Sequence, residues 1–138
     1  MTDRQLIRDR YRTMYEVTVT KPFVAQHYLT VPNPGPEGEL HSHRYGVTIH
    51  LRGESLNEFG YLVDIDRVRE SLDNTIAHYR DETLNDLPEF EGVNPSVEHF
   101  SRLFCDRVLD EIDAPEIIEI EVAIQEDNDA GASFERSV

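Results

Sequence analysis

The stretch Leu40-His41-Ser42-His43-Arg44-Tyr45-Gly46-Val47-Thr48-Ile49 decides the fold, because it alternates with a period of two. His41, His43, Tyr45, Val47, Ile49 and Leu51 share one parity, which predicts a strand over about His41 to Gly53. Upstream, Met14 to Val31 reads as a long first strand. Tyr15, Val17 and Val19 alternate there, and Phe23, Ala25 and His27 continue their parity, with Pro22 pointing to a bulge or a sheet edge. The turn-rich run Pro32-Asn33-Pro34-Gly35-Pro36-Glu37-Gly38 lets the two strands return side by side. If they pair, His27 can join His41 and His43 on one face, and three imidazoles can close around one ion with a fourth position left for water or substrate. Taken singly, each histidine reads better as an ordinary surface or core residue than as a ligand; the frame around them is what points to a metal. His50 has the opposite parity and is excluded as a ligand.

Working outward, Ile65, Val68, Leu72, Ile76 and Tyr79 recur at helical spacing between Asp64 and Tyr79, the pattern of an amphipathic helix lying on a sheet. His78 falls near its end. Asn94-Pro95-Ser96 reads as a helix start with Asn94 as cap and Pro95 in the first turn, and Val97, Phe100, Phe104 and Val108 mark the buried stripe of a second helix. Ile118, Ile120, Val122 and Ile124 alternate with Glu119, Glu121 and Gln125 in a third strand. After Asp127-Asn128-Asp129-Ala130-Gly131 a short final strand spans Ser133 to Arg136. The first dozen residues, polar and Arg-rich, read as a frayed start or a short helical lead-in. The order ββααββ over residues 1–138 is that of one α+β domain, with helices on one face of the sheet and the other face covered by something else, such as another subunit.

The 138 residues, 38% of them hydrophobic, suffice for one core. With 28 acidic residues against 13 basic, the formal charge of -15 argues against a grip on nucleic acid or on an anionic membrane. The acid excess is dispersed and the basic side is almost entirely Arg, with Lys21 the one lysine, which resembles proteins of salt-accumulating halophiles. The single cysteine, Cys105, cannot form an intramolecular disulfide, and its helical context reads as core. No run is apolar enough for a signal peptide or a membrane span, so the expected location is cytoplasmic.

Several landmarks together resemble the 6-pyruvoyl-tetrahydropterin synthase family, which includes 6-carboxy-tetrahydropterin synthase of the queuosine and archaeosine precursor route. Phe23-Val24-Ala25-Gln26-His27-Tyr28-Leu29 is similar to the family's F-x-A-A-H-x-L, Leu40-His41-Ser42-His43 to L-H-G-H, and Gly60-Tyr61-Leu62-Val63-Asp64 to G-x-V-x-D. Leu84-Asn85-Asp86 resembles L-N-D, Pro95-Ser96-Val97-Glu98 resembles P-T-x-E, and Glu126 with Ala130-Gly131 resembles E-T-x-x-A-G. The resemblance implies a tunnelling fold, a four-stranded antiparallel sheet with two helices on one face, assembled as a trimer or hexamer through oligomeric β-barrels with sites at subunit interfaces. It implies His27, His41 and His43 as Zn2+ ligands and Glu126 as the anchor of the pterin ring, a role suited to a carboxylate that can accept two parallel N–H bonds.

The chain departs from the family pattern in the proton relay. No cysteine lies between His27 and His41, where Glu37 and Glu39 stand, and the family's Asp-His pair before L-N is replaced by Arg80 and Asp81. A carboxylate raised in pKa by burial can still act as a base, which makes Glu37 the first candidate and Asp81 a second relay group. Certain family members with glutamate near the cysteine's place resemble dihydroneopterin aldolases in activity. The expected function is thus a zinc-dependent lyase acting on the side chain of 7,8-dihydroneopterin or its triphosphate, by synthase or aldolase chemistry. The alternative is a non-catalytic zinc- and pterin-binding paralogue. Lys21, Arg44 and Arg52 are the cations near enough in sequence to grip a phosphate.

Overall fold

The structure is a computed structural model that describes residues 13–138; the lead-in expected over the first dozen residues lies outside the described residues. Two long strands, β1 (Tyr15–His27) and β2 (His41–Gly53), pair antiparallel along their whole length, from Tyr15 opposite Gly53 to His27 opposite His41. Helices α1 (Ile65–Tyr79) and α2 (Val97–Leu109) follow, and then β3 (Glu119–Asp127) and β4 (Ala130–Ser137) complete a four-stranded antiparallel sheet in the order β1-β2-β3-β4. Pro22 falls on an outer strand, where its missing N–H breaks no ladder inside the sheet.

Both helices lie on one face, and the period of two explains which residues they cover. Val19, Phe23 and Ala25 of β1, Tyr45, Val47, Ile49 and Leu51 of β2, and Ile120, Val122 and Ile124 of β3 are buried against Val68, Leu72, Ile76 and Tyr79 of α1 and Phe100, Phe104 and Val108 of α2. Phe100 sits at the centre, with ring centroids 5.0 Å from Tyr79, 5.2 Å from Tyr45 and 5.9 Å from Phe23. Truncating it to Ala would cost roughly 3–5 kcal/mol by the usual cavity cost. Cys105 is buried in this layer, and burial pushes its thiol up to about 11, so it is a packing residue.

The opposite face is polar. Arg52 lies there among carboxylates, bonding Glu16 at 2.7 Å, Glu119 at 2.6 Å and Glu121, while His50 meets Glu16 at 3.0 Å. Lys21 pairs with Asp73. Two of the three cations singled out for phosphate are therefore already neutralised.

Three boundaries differ from the sequence pattern. β1 stops at His27, short of Val31, because the Asn85 side chain takes both the N–H and the C=O of Tyr28. The cap of α2 is Ser96, whose hydroxyl accepts from the His99 N–H; Asn94 is drawn away to accept from the Thr30 N–H at 2.9 Å. β4 begins at Ala130, ahead of Ser133, because a tight Asn128-Asp129 hairpin lets pairing resume at once. Gly131 is required in that hairpin, since a Cβ there would lie 2.6 Å from the Ile124 carbonyl oxygen.

Candidate metal centre

His27, His41 and His43 continue the buried stripe of β1 and β2 past the end of the helical layer. The β1–β2 register sets His27 opposite His41 and Ala25 opposite His43, so the small Ala25 leaves room for the rings to converge. Their centroids lie 4.6 Å (His27–His41), 5.1 Å (His27–His43) and 4.8 Å (His41–His43) apart, each pair edge to face.

The histidines are held from behind. Nδ1 of His27 lies 2.8 Å from the Pro95 carbonyl oxygen and Nδ1 of His41 lies 2.7 Å from the Glu39 carbonyl oxygen. A carbonyl can only accept, so in both rings Nδ1 carries the proton and Nε2 turns its lone pair inward, the arrangement that orients metal-binding imidazoles. Nδ1 of His43 faces Asp127 Oδ1 at 3.7 Å. Burial is the main cause that lowers the pKa of His27, favouring the neutral form a metal requires. The Nε2 atoms of all three histidines are buried and make no hydrogen bond. The inward lone pairs of His27 and His41, without a donor, are costly in a folded protein, and a cation shared with His43 Nε2 would satisfy them.

Glu37, in the 3-10 turn Gly35–Gly38, brings Oε2 to 3.2 Å from His41 Nε2. One ligand atom from each of His27, Glu37, His41 and His43 lies within 4.8 Å of all the others, so these four groups can hold a metal ion. Glu126 arrives from the other side, its Oε1 3.3 Å from His27 Nε2 and 3.1 Å from His43 Nε2. It gets there through a bulge: Gln125 pairs with Gly131 and Asp127 with Ala130, and Glu126 is left between them. Burial is the largest cause raising the Glu126 carboxyl pKa. Beside this cluster a cleft of about 690 Å³ runs between β2 and the hairpin, lined by His43, Tyr45, Gln125, Glu126, Asp127 and Asp129, among others.

The profile of the family described as 6-pyruvoyl tetrahydropterin synthase matches residues 16–137. The chain belongs to this family. A search of curated proteins finds no match. Among solved structures, the 6-pyruvoyl tetrahydropterin synthase of Plasmodium vivax superposes with a TM-score of 0.76 at 18% identity, over 91% of this chain and 99% of that one. The parasite enzyme has also been solved as catalytic residue mutants in which a glutamate is replaced by alanine or cysteine. The Caenorhabditis elegans synthase gives 0.76 at 16% identity, covering 91% and 97%. A Burkholderia dihydroneopterin aldolase bound to guanine gives 0.52 at 12%, covering 96% and 98%. At these identities the likeness is one of fold.

Of the predicted site residues, His27, His41, His43, Glu37 and Glu126 come together. Asp81 does not: it sits exposed in the turn after α1 with φ +61°, its N–H bonded to the Val24 carbonyl. The orienting carbonyls of Pro95 and Glu39 and the Asn85 clamp beside His27 have no periodic signature in the sequence, whereas Tyr45 shares the parity of His41 and His43.

Proposed function

We propose that this member of the family is a zinc-dependent lyase acting on the three-carbon side chain of 7,8-dihydroneopterin or its triphosphate, in pterin, folate-type or deazapurine precursor synthesis, with Glu37 as base. The observation that carries this reading is the convergence of three inward, unpartnered imidazole nitrogens with one carboxylate beside an open cleft. Three histidines leave a coordination position free, as in catalytic zinc sites, and a bound zinc would polarise the adjacent oxygens of the side chain.

Glu37 stands where the departure from the family's thiol needs a base, and in the Plasmodium vivax synthase a glutamate is itself a catalytic residue. In the aldolase-type reaction Glu37 takes the proton of the second side-chain hydroxyl and the bond between the first and second side-chain carbons breaks. The electron pair is held through the ring's C6–N5 bond until the first carbon takes up the proton that Glu37 accepted. The products from 7,8-dihydroneopterin are glycolaldehyde and 6-hydroxymethyl-7,8-dihydropterin; from the triphosphate the two-carbon aldehyde carries the phosphates. Glu126 anchors the aminopyrimidinone edge of the ring, for which it swings away from the histidines. Asp81, outside the converging groups, is given no step. The outer edges of β1, over most of its length, and of β4 are unpaired among the described residues, which supports a homo-oligomer, trimer or hexamer, closing the sheet into a barrel.

The test is to incubate the zinc-loaded protein at high salt with 7,8-dihydroneopterin and, separately, with its triphosphate, reading products by mass. Release of 6-hydroxymethyl-dihydropterin is expected, with Glu37→Gln slower by about 10²–10⁴-fold. A 6-pyruvoyl or 6-carboxy product would replace the aldolase step with synthase chemistry. Unchanged substrates despite bound zinc and pterin would leave a binding protein.

A further inference from the structure

Among the described residues, four side-chain polar atoms are buried without a hydrogen-bond partner: the three histidine Nε2 atoms and the hydroxyl of Tyr45. The proposed reaction accounts for the nitrogens and leaves the hydroxyl unused. Tyr45 is 1% exposed. On one side its ring rests on Phe23, 5.6 Å away and stacked, and on Phe100, 5.2 Å away and edge-on. On the other it contacts His43 at 5.5 Å and His27 at 6.2 Å. It also lines the cleft beside Glu126 and Asp127.

A phenylalanine would make the same ring contacts without burying an unpaired hydroxyl, so the hydroxyl is held against the stability of the ligand-free protein. A ligand oxygen that reaches it from the cleft would supply the partner it lacks. Because the ring lies against two of the imidazoles that would hold the ion, the part of a ligand within reach is the part nearest the ion. We propose that the Tyr45 hydroxyl donates a hydrogen bond to a side-chain oxygen of a 6-substituted dihydropterin, making Tyr45 a side-chain selectivity residue. This rests on the pterin reading above and adds to it the group that senses the side chain, as distinct from the ring.

The experiment compares the full-length zinc-loaded protein with Tyr45→Phe. Dissociation constants are measured for 7,8-dihydroneopterin and for 6-methyl-7,8-dihydropterin, which lacks the hydroxyls, together with zinc stoichiometry and the melting temperature without ligand. Loss of one neutral hydrogen bond predicts dihydroneopterin binding weaker by about five- to tenfold, with the 6-methyl compound unchanged within about twofold. Zinc content stays the same, and the ligand-free variant melts a few degrees higher, roughly 3 °C or more. Equal losses for both pterins would place the hydroxyl on the ring or on Glu126 and overturn the inference. A lower melting temperature with unchanged affinities would make it a structural group and overturn it as well. Wild-type protein that binds neither pterin would overturn the pterin reading itself, and this inference with it.

Discussion

Replacing Asn85 by Ala removes the clamp that ends β1 next to His27. The Asn85 side chain accepts from the Tyr28 N–H at 3.0 Å and donates to the Tyr28 carbonyl at 2.9 Å. Each such bond contributes about 1 kcal/mol net, so the pair contributes roughly 2 kcal/mol. For a chain of this length about 3 °C of melting temperature corresponds to 1 kcal/mol, so Asn85→Ala should melt about 6 °C lower. The loss reaches the site, because the Leu29 N–H bonds the Glu37 carbonyl and the loop from Tyr28 onward carries Glu37. Zinc affinity should fall about tenfold, the usual cost of loosening support behind a ligand. Asn85→Asp keeps an acceptor for the Tyr28 N–H and loses the donor, so it should fall between wild type and Ala. The assay is thermal unfolding by circular dichroism at high salt, with and without zinc, alongside competition titration with a chelator. A shift of less than about 2 °C for Asn85→Ala would refute the clamp.

Two further outcomes are expected. Hydrogen bonds from His50 and Arg52 hold the Glu16 carboxyl down at about 2, so the stability they supply is present above the ordinary carboxylate pKa of 4.5 and is lost as pH falls from there towards 2. Because Glu16 is 40% exposed, solvent screening reduces the contribution to about 1 kcal/mol, read as a shallower loss of stability between pH 4.5 and 2 in Glu16→Gln than in wild type. Asp81→Gly relieves a left-handed backbone conformation at φ +61° and should raise stability by about 1 kcal/mol with turnover within about twofold of wild type. A drop in turnover there would restore Asp81 to the proton relay.

The period of two carried most of what the sequence could convey. Once Tyr45, Val47, Ile49 and Leu51 face the helices, His41 and His43 must continue that face, and the full-length register with β1 delivers His27. Parity cannot place groups that leave the ladder. Glu37 reaches His41 from a 3-10 turn, and Glu126 reaches His27 and His43 from a bulge, so their positions depend on backbone geometry with no periodic signature. Long-range partners were equally illegible. Asn94 resembles a helix cap until Thr30 claims its side chain, and the run from Tyr28 to Val31 resembles a strand until Asn85 takes the Tyr28 backbone. The six motifs in order conveyed the family, because five of them hold residues that the fold gathers around the site: His27, His41 with His43, Asn85, Pro95 and Glu126. The setting of Asp81 was illegible for a related reason: counting back from Leu84 fixes a sequence position but not the left-handed turn after α1 that carries it.

If the site is a metal centre, His27, His41 and His43 hold the ion with Glu37 beside it. The most direct test is native mass spectrometry of the full chain after zinc loading and dialysis, with His41→Ala/His43→Ala as the comparison and circular dichroism confirming that the variant is folded. One zinc per chain is expected in the wild type and none in the variant. A folded wild type that retains no zinc, or a variant that keeps it, would show that these histidines do not hold the ion.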